Sequence, residues 1–172
     1  MNENRPGFAD LGLDPGLLLG VQDLGFEQPT PIQAQTIPLL LSGDHDLFGL
    51  AQTGSGKTAA FGLPLLQHLD LQNRGIQALV LSPTRELCVQ ITSDLEKFAA
   101  RTDGVRILAV YGGAGIQAQI SRLRSGVQVV VATPGRLMDL MERKALNLSA
   151  VQTLVLDEAD EMLDMGFRDD LD

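Results

Sequence analysis

The stretch AQTGSGKT, residues 51–58, holds residue types suited to phosphate chemistry. Gly54 and Gly56 allow successive backbone N–H groups to turn inward on a phosphate, and a helix beginning just after them presents its positive end. Lys57 can reach terminal phosphates and the Thr58 hydroxyl can ligate magnesium, while Gln52, Thr53 and Ser55 complete the turn. Ala51 stands where the G-x-x-x-x-G-K-[ST] pattern has its first glycine. The competing reading is a glycine-rich strand-to-helix turn with an exposed lysine. The order of apolar run, loop and helical spacing favours the phosphate loop.

A second constellation closes the run TLVLDEADEML, residues 153–163, where Asp157, Glu158 and Asp160 follow the apolar Leu154, Val155 and Leu156. A hydrated magnesium nucleotide takes protein oxygens and phosphates together, so a carboxylate ending a strand near a phosphate loop suits it. Asp157 fits that role, and Glu158 then orients or deprotonates an attacking water. Alone, the acids read better as a helix cap, with Asp157 as the capping residue and the others stabilising the first turn. A phosphate loop earlier in the same chain turns the preference toward catalysis.

The elements that must position these residues alternate. Five short apolar runs, at 46–51, 78–82, 105–111, 127–133 and 153–157, read as strands, mostly apolar on both faces as in a covered sheet. Between them lie segments such as 85–100, whose Leu87, Ile91, Leu95 and Phe98 step by three or four. This predicts an α/β fold: a doubly wound, mostly parallel sheet with helices on both faces and ligands at the carboxyl ends of the strands. Residues 1–43 read as a helical segment of two helices before a core at 44–172, all in one domain.

Special residues gather after the other strands too. Thr84 and Thr133 can cap helices, Pro134 suits a first helical turn, and Arg85 and Arg136 supply charge-assisted donors. Ordinary helix capping accounts for the same residues. Residues 113–118 match G-x-G-x-x-A, with Asp139 as a late ribose acid, but the strand is the third and the acid does not close the next one. A tight turn is the stronger reading there.

Composition sets outer bounds. A chain of 172 residues can bury roughly 70% of its unfolded surface as one domain. One cysteine, Cys88, excludes an internal disulfide framework and suits a reducing, cytoplasmic setting. No apolar run approaches the ~20 residues of a spanning helix, so no membrane partner is expected. Thirteen basic against 22 acidic residues give −9, the wrong sign for holding nucleic acid by bulk electrostatics. Any such site must be local. The charges are scattered apart from an acidic end, RDDLD, at 168–172.

Together these motifs resemble the first RecA-like domain of the DEAD-box RNA helicases, in that family's order: GFEQPTPIQ at 25–33, AQTGSGKT, PTREL at 83–87, GG at 112–113, TPGR at 133–136 and DEAD at 157–160. The resemblance implies ATP and Mg2+ as cofactors and the RNA backbone, read independently of base sequence, as partner. It implies that Gln33 reads adenine within a motif that includes Phe26 and Thr30, and that Phe8, 17 residues before Gly25, stacks on the base. It further implies that Pro83, Thr84, Arg85, Gly112, Gly113, Thr133, Pro134, Gly135 and Arg136 hold RNA. Lys57, Asp157, Glu158 and Asp160 would be catalytic, with Asp160 coupling nucleotide state to the rest of the fold. The family closes ATP and RNA between two such domains, and 1–172 carries the motifs of one. The chain alone is therefore expected to have little or no activity and to need a second RecA-like domain. The alternative is a non-catalytic nucleotide- or RNA-binding module made of this one domain.

Overall fold

The computed structural model describes residues 6–43 and 46–166. The acidic end at 168–172 lies outside the described residues. The described residues group into two compact units, one within 1–68 and 94–103, the other within 69–93 and 104–172.

The first unit is helical. A short 3-10 helix, Phe8–Leu11, precedes α1 (Pro15–Asp23), α2 (Pro31–Ser42) and α3 (Lys57–Gln67). Proline opens both α1 and α2, where its missing N–H costs nothing. Thr30 caps α2 in a reciprocal capping box with Gln33, so one pair of side chains satisfies two otherwise unpaired backbone donors. Val21, Ile37, Leu63 and Leu95 are fully buried in this unit. α1 packs closely because of Gly20: a Cβ there would collide with the carbonyl oxygen of Phe98.

The second unit contains a four-stranded parallel sheet in the order β2-β3-β1-β4, built from β1 (Ala78–Leu81), β2 (Ile107–Val110), β3 (Val129–Ala132) and β4 (Thr153–Leu156). Ala78 stands opposite both Val129 and Thr153, and Ile107 opposite Val129, so the strands start level. Parallel neighbours need crossovers, supplied by α4 (Arg85–Phe98), α5 (Ile116–Arg124) and α6 (Pro134–Glu142); α7 (Ala159–Asp164) follows β4. On one face Leu79, Leu81, Leu108, Val110, Val130 and Ala132 pack with Ile120, Leu137, Leu140 and Met162 from α5, α6 and α7. Each fully buried valine or leucine contributes about 1.5–3 kcal/mol. From α4, the Cys88 thiol donates to the carbonyl of Val131, 3.0 Å away.

Two strand expectations need correcting. Residues 46–51 form no strand among the described residues, and Phe48 and Leu50 are each 85% exposed. Apolar composition makes a strand only where a ladder forms, and Gly49 in the middle of a short run weakens it. β4 is not covered on both faces either: it alternates, with Leu154 and Leu156 exposed at the edge of the sheet. No helix among the described residues is long and apolar enough to cross a membrane.

Candidate functional site

The turn at 51–58 has the backbone that phosphate binding needs. Gly54 and Gly56 lie at φ +81° and +90°, a region other residues enter only with strain. α3 begins at Lys57 with Gly56 as its cap, so the cap residue offers its first N–H groups no side-chain acceptor. The Ser55 hydroxyl is buried without a hydrogen-bond partner, an orphan that a bound phosphate or its water can satisfy. Ala51, Ser55, Lys57 and Thr58 are half-buried, while Gln52, Thr53 and Gly54 are exposed.

Gln33 reaches this turn. Its Nε2 donates to the Gly56 carbonyl at 3.1 Å, and its Oε1 accepts from Thr30 N at 2.9 Å. Each end of the amide keeps one unused position, a second N–H and a second lone pair, which is the complement of adenine N6 and N7. Phe8 is only 6% exposed and packs 6.2 Å from Phe26, centroid to centroid. Phe26 is the ring of this pair with open surface, at 38% exposure.

Three further motifs converge at the carboxyl ends of β1, β2 and β3. Pro83, Arg85, Gly112, Thr133, Gly135 and Arg136 line one open depression of about 420 Å³. Thr84, Gly113 and Pro134 are their chain neighbours and are not on the lining. Thr84 caps α4, its hydroxyl accepting from Leu87 N at 3.2 Å, whereas Thr133 occupies the cap position of α6 without making that bond. Pro134 opens α6 as expected. The first turns of α4 and α6 thus both point unpaired N–H groups toward the depression. The Arg85 guanidinium sits 4.9 Å from the Tyr111 ring centroid. Arg136 is turned inward instead: its Nη1 donates to Ala114 O at 3.1 Å and to Gln119 Oε1 at 3.0 Å.

The acids end β4 in an unusual turn. Asp157 is buried to 9% exposure, and its N–H donates to Leu81 O at 2.9 Å, extending the pairing with β1. It does not cap α7. That position belongs to Glu158, which is left-handed at φ 54°, ψ 47° and makes no capping bond. A non-glycine residue there stores about 1–2 kcal/mol of strain, as functional turns often do. The hydrogen bond that the protonated Glu161 carboxyl can donate to Glu158 raises Glu161 above its ordinary value, with desolvation and the charges of Glu158 and Asp160 adding to it. Asp160 is exposed. Among the described residues no three His, Cys, Asp or Glu side chains group to hold a metal. Magnesium at a nucleotide needs no such cage, because phosphates and waters complete its shell around one or two protein oxygens.

Tyr111 and Gln119 escaped the motif reading. The available signal for Gln119 was a polar residue on the stripe of α5 that carries Ile116, Ile120 and Leu123.

Residues 30–172, most of the chain, match the family described as DEAD/DEAH box helicase. The chain belongs to that family. It is 54% identical over all of its 172 residues to the ATP-dependent RNA helicase DeaD of Escherichia coli K12, covering 27% of that protein. It is 53% identical over 165 residues to the DEAD-box ATP-dependent RNA helicase CshA of Streptococcus pneumoniae TIGR4, covering 96% of this chain and 31% of that one. The chain therefore spans about a third or less of these relatives. A DEAD box protein of the hyperthermophile Methanococcus jannaschii superposes on 96% of this chain and 45% of its own, with a TM-score of 0.91 and 42% identity. The fold is that of the DEAD-box RecA-like domain, a parallel sheet flanked by helices.

Proposed function

We propose that this DEAD-box chain binds Mg-ATP and part of an RNA backbone as one RecA-like domain of an ATP-dependent RNA helicase. Efficient hydrolysis and duplex unwinding then require a second RecA-like domain. Lys57, Thr58 and the backbone of 51–58 hold the phosphates. Thr58 and Asp157 supply the metal-side oxygens, Glu158 takes the proton of the attacking water, and Asp160 couples nucleotide state to the fold. Gln33, Phe8 and Phe26 serve the adenine end.

The observation that carries the RNA half is the convergence of Arg85, Gly112, Thr133 and Gly135 from three separate segments on one depression. Two helix N-termini, a hydroxyl without a capping duty and a cation suit a phosphate and carry no base information. The Ser55 orphan and the positive-φ glycines support the nucleotide half.

The test is binding by this chain of single-stranded oligouridylate, oligoadenylate and a magnesium adenine nucleotide, with Arg85→Ala and Lys57→Ala variants. The two RNAs should bind within a few-fold of each other, Arg85→Ala should weaken both, and Lys57→Ala should weaken only the nucleotide. RNA binding indifferent to Arg85→Ala would remove the groove from the account.

A further inference from the structure

We propose that Gln119, which belongs to none of the motifs, is the positioning residue that sets the shape of the Arg85–Gly112–Thr133 depression before any ligand arrives. The proposal rests on the reading of that depression as an RNA-backbone site.

A buried amide must spend its donors and acceptor on protein groups. Gln119 is 6% exposed, and both ends of its amide are used. Nε2 donates to Tyr111 O at 3.1 Å, holding the segment that continues into Gly112. Oε1 accepts from Arg136 Nη1 at 3.0 Å, holding the first turn of α6. The same Nη1 donates to Ala114 O at 3.1 Å, so the glycine turn is tied at both ends. Asp139, 3.8 Å from Arg136 Nε, steadies the guanidinium from its own helix. Tyr111, fixed through its carbonyl, carries the face on which Arg85 rests at 4.9 Å. All three lining segments are thus joined to one α5 side chain directly or through one further contact.

The chemistry divides the two arginines. Arg85 is exposed and its guanidinium rests on a ring, so its donors are available to a phosphate. Arg136 is 12% exposed in its side chain and spends Nη1 on two protein oxygens, so it acts mainly as a brace. A groove whose walls are already tied loses less freedom when it binds, and one mobile side chain or turn released there is worth roughly tenfold in affinity.

The test measures oligouridylate and magnesium adenine nucleotide affinity for this chain and three variants, Gln119→Leu, Gln119→Glu and Arg85→Ala. Gln119→Leu removes both bonds at nearly constant volume; Gln119→Glu keeps an acceptor for Arg136 and loses the donor to Tyr111. We expect Gln119→Leu to weaken RNA about tenfold with nucleotide affinity unchanged, and Gln119→Glu to recover part of that loss. Equal loss of RNA and nucleotide binding in Gln119→Leu would make the residue a fold determinant only and overturn the proposal. Gln119→Glu no better than Gln119→Leu would overturn it as well. Wild-type RNA binding in Gln119→Leu beside a loss in Arg85→Ala would overturn Gln119 and leave the groove standing. No change in either variant would remove the groove itself.

Discussion

Single side chains here carry separable consequences. The Cys88 thiol, fully buried with its Sγ against Val131 O, is pushed up from 9.0 to about 11, chiefly by desolvation. Below pH ~9 it is neutral folded or unfolded and contributes no pH dependence. Between about pH 9 and pH 11 the unfolded chain loses the proton and the native one keeps it, so stability falls as pH rises. Urea unfolding at about pH 8 and about pH 10 should show a larger loss for the wild type than for Cys88→Ala. Identical losses in the two proteins would mean that the thiol is not held neutral. Glu158 presents a different case. Its left-handed backbone is set by the turn out of β4 and not by its carboxylate, so Glu158→Gln should fold and bind nucleotide normally. In a protein that carries the second domain, the same change should lower ATP turnover by roughly 10²–10⁴-fold through loss of the proton acceptor. Turnover at the wild-type rate would take Glu158 out of the mechanism.

Elements respond to packing more than to charge. At Gly20 in α1, a methyl group has no space beside the Phe98 carbonyl, and backbone cannot give way as a flexible side chain can. Gly20→Ala should therefore cost roughly 1–3 kcal/mol, despite alanine's better helix propensity, and a thermal melt several degrees below wild type is the reading that checks it. An unchanged or raised melting temperature would show that α1 shifts freely. What could be read from the sequence follows the same division. β1 and β3 were legible because a strand buried on both faces must be apolar throughout, as Ala78–Leu81 and Val129–Ala132 are. The helix from Arg85 was legible through its spacing, and the tight turn before α3 because only glycine is at ease at φ +81° and +90°. Residues 46–51 were misread, since an apolar run records what can pair and not whether a ladder forms. The duty of Gln119 was illegible for a related reason: its partners are the carbonyl of Tyr111 and a guanidinium 17 residues away, and neither leaves a local pattern.

At the scale of the whole molecule, charge and site pull in opposite directions. The chain carries −9, so its long-range field repels a polyanion, and any affinity for RNA has to come from a few short-range donors in the groove. Those donors are mostly uncharged: backbone N–H groups at the starts of α4 and α6, the Thr133 hydroxyl, and one exposed cation, Arg85. Counterion release scales with the phosphates neutralised, at about 0.7 per phosphate for a single strand, and Arg85 neutralises about one. Binding of oligouridylate by this chain should accordingly be weak but nearly flat in salt, with log K falling against log salt at a slope of roughly −1 or shallower. Arg85→Ala should flatten the slope further, while Thr133→Val should lower affinity and leave the slope alone, because it removes a hydroxyl and no charge. A slope of about −3 or steeper would require several phosphates to be neutralised at once, which one exposed arginine in the groove cannot do. In that case the RNA would be held elsewhere, by cations outside this depression, and the local, charge-poor mode of backbone recognition argued from the groove would be wrong.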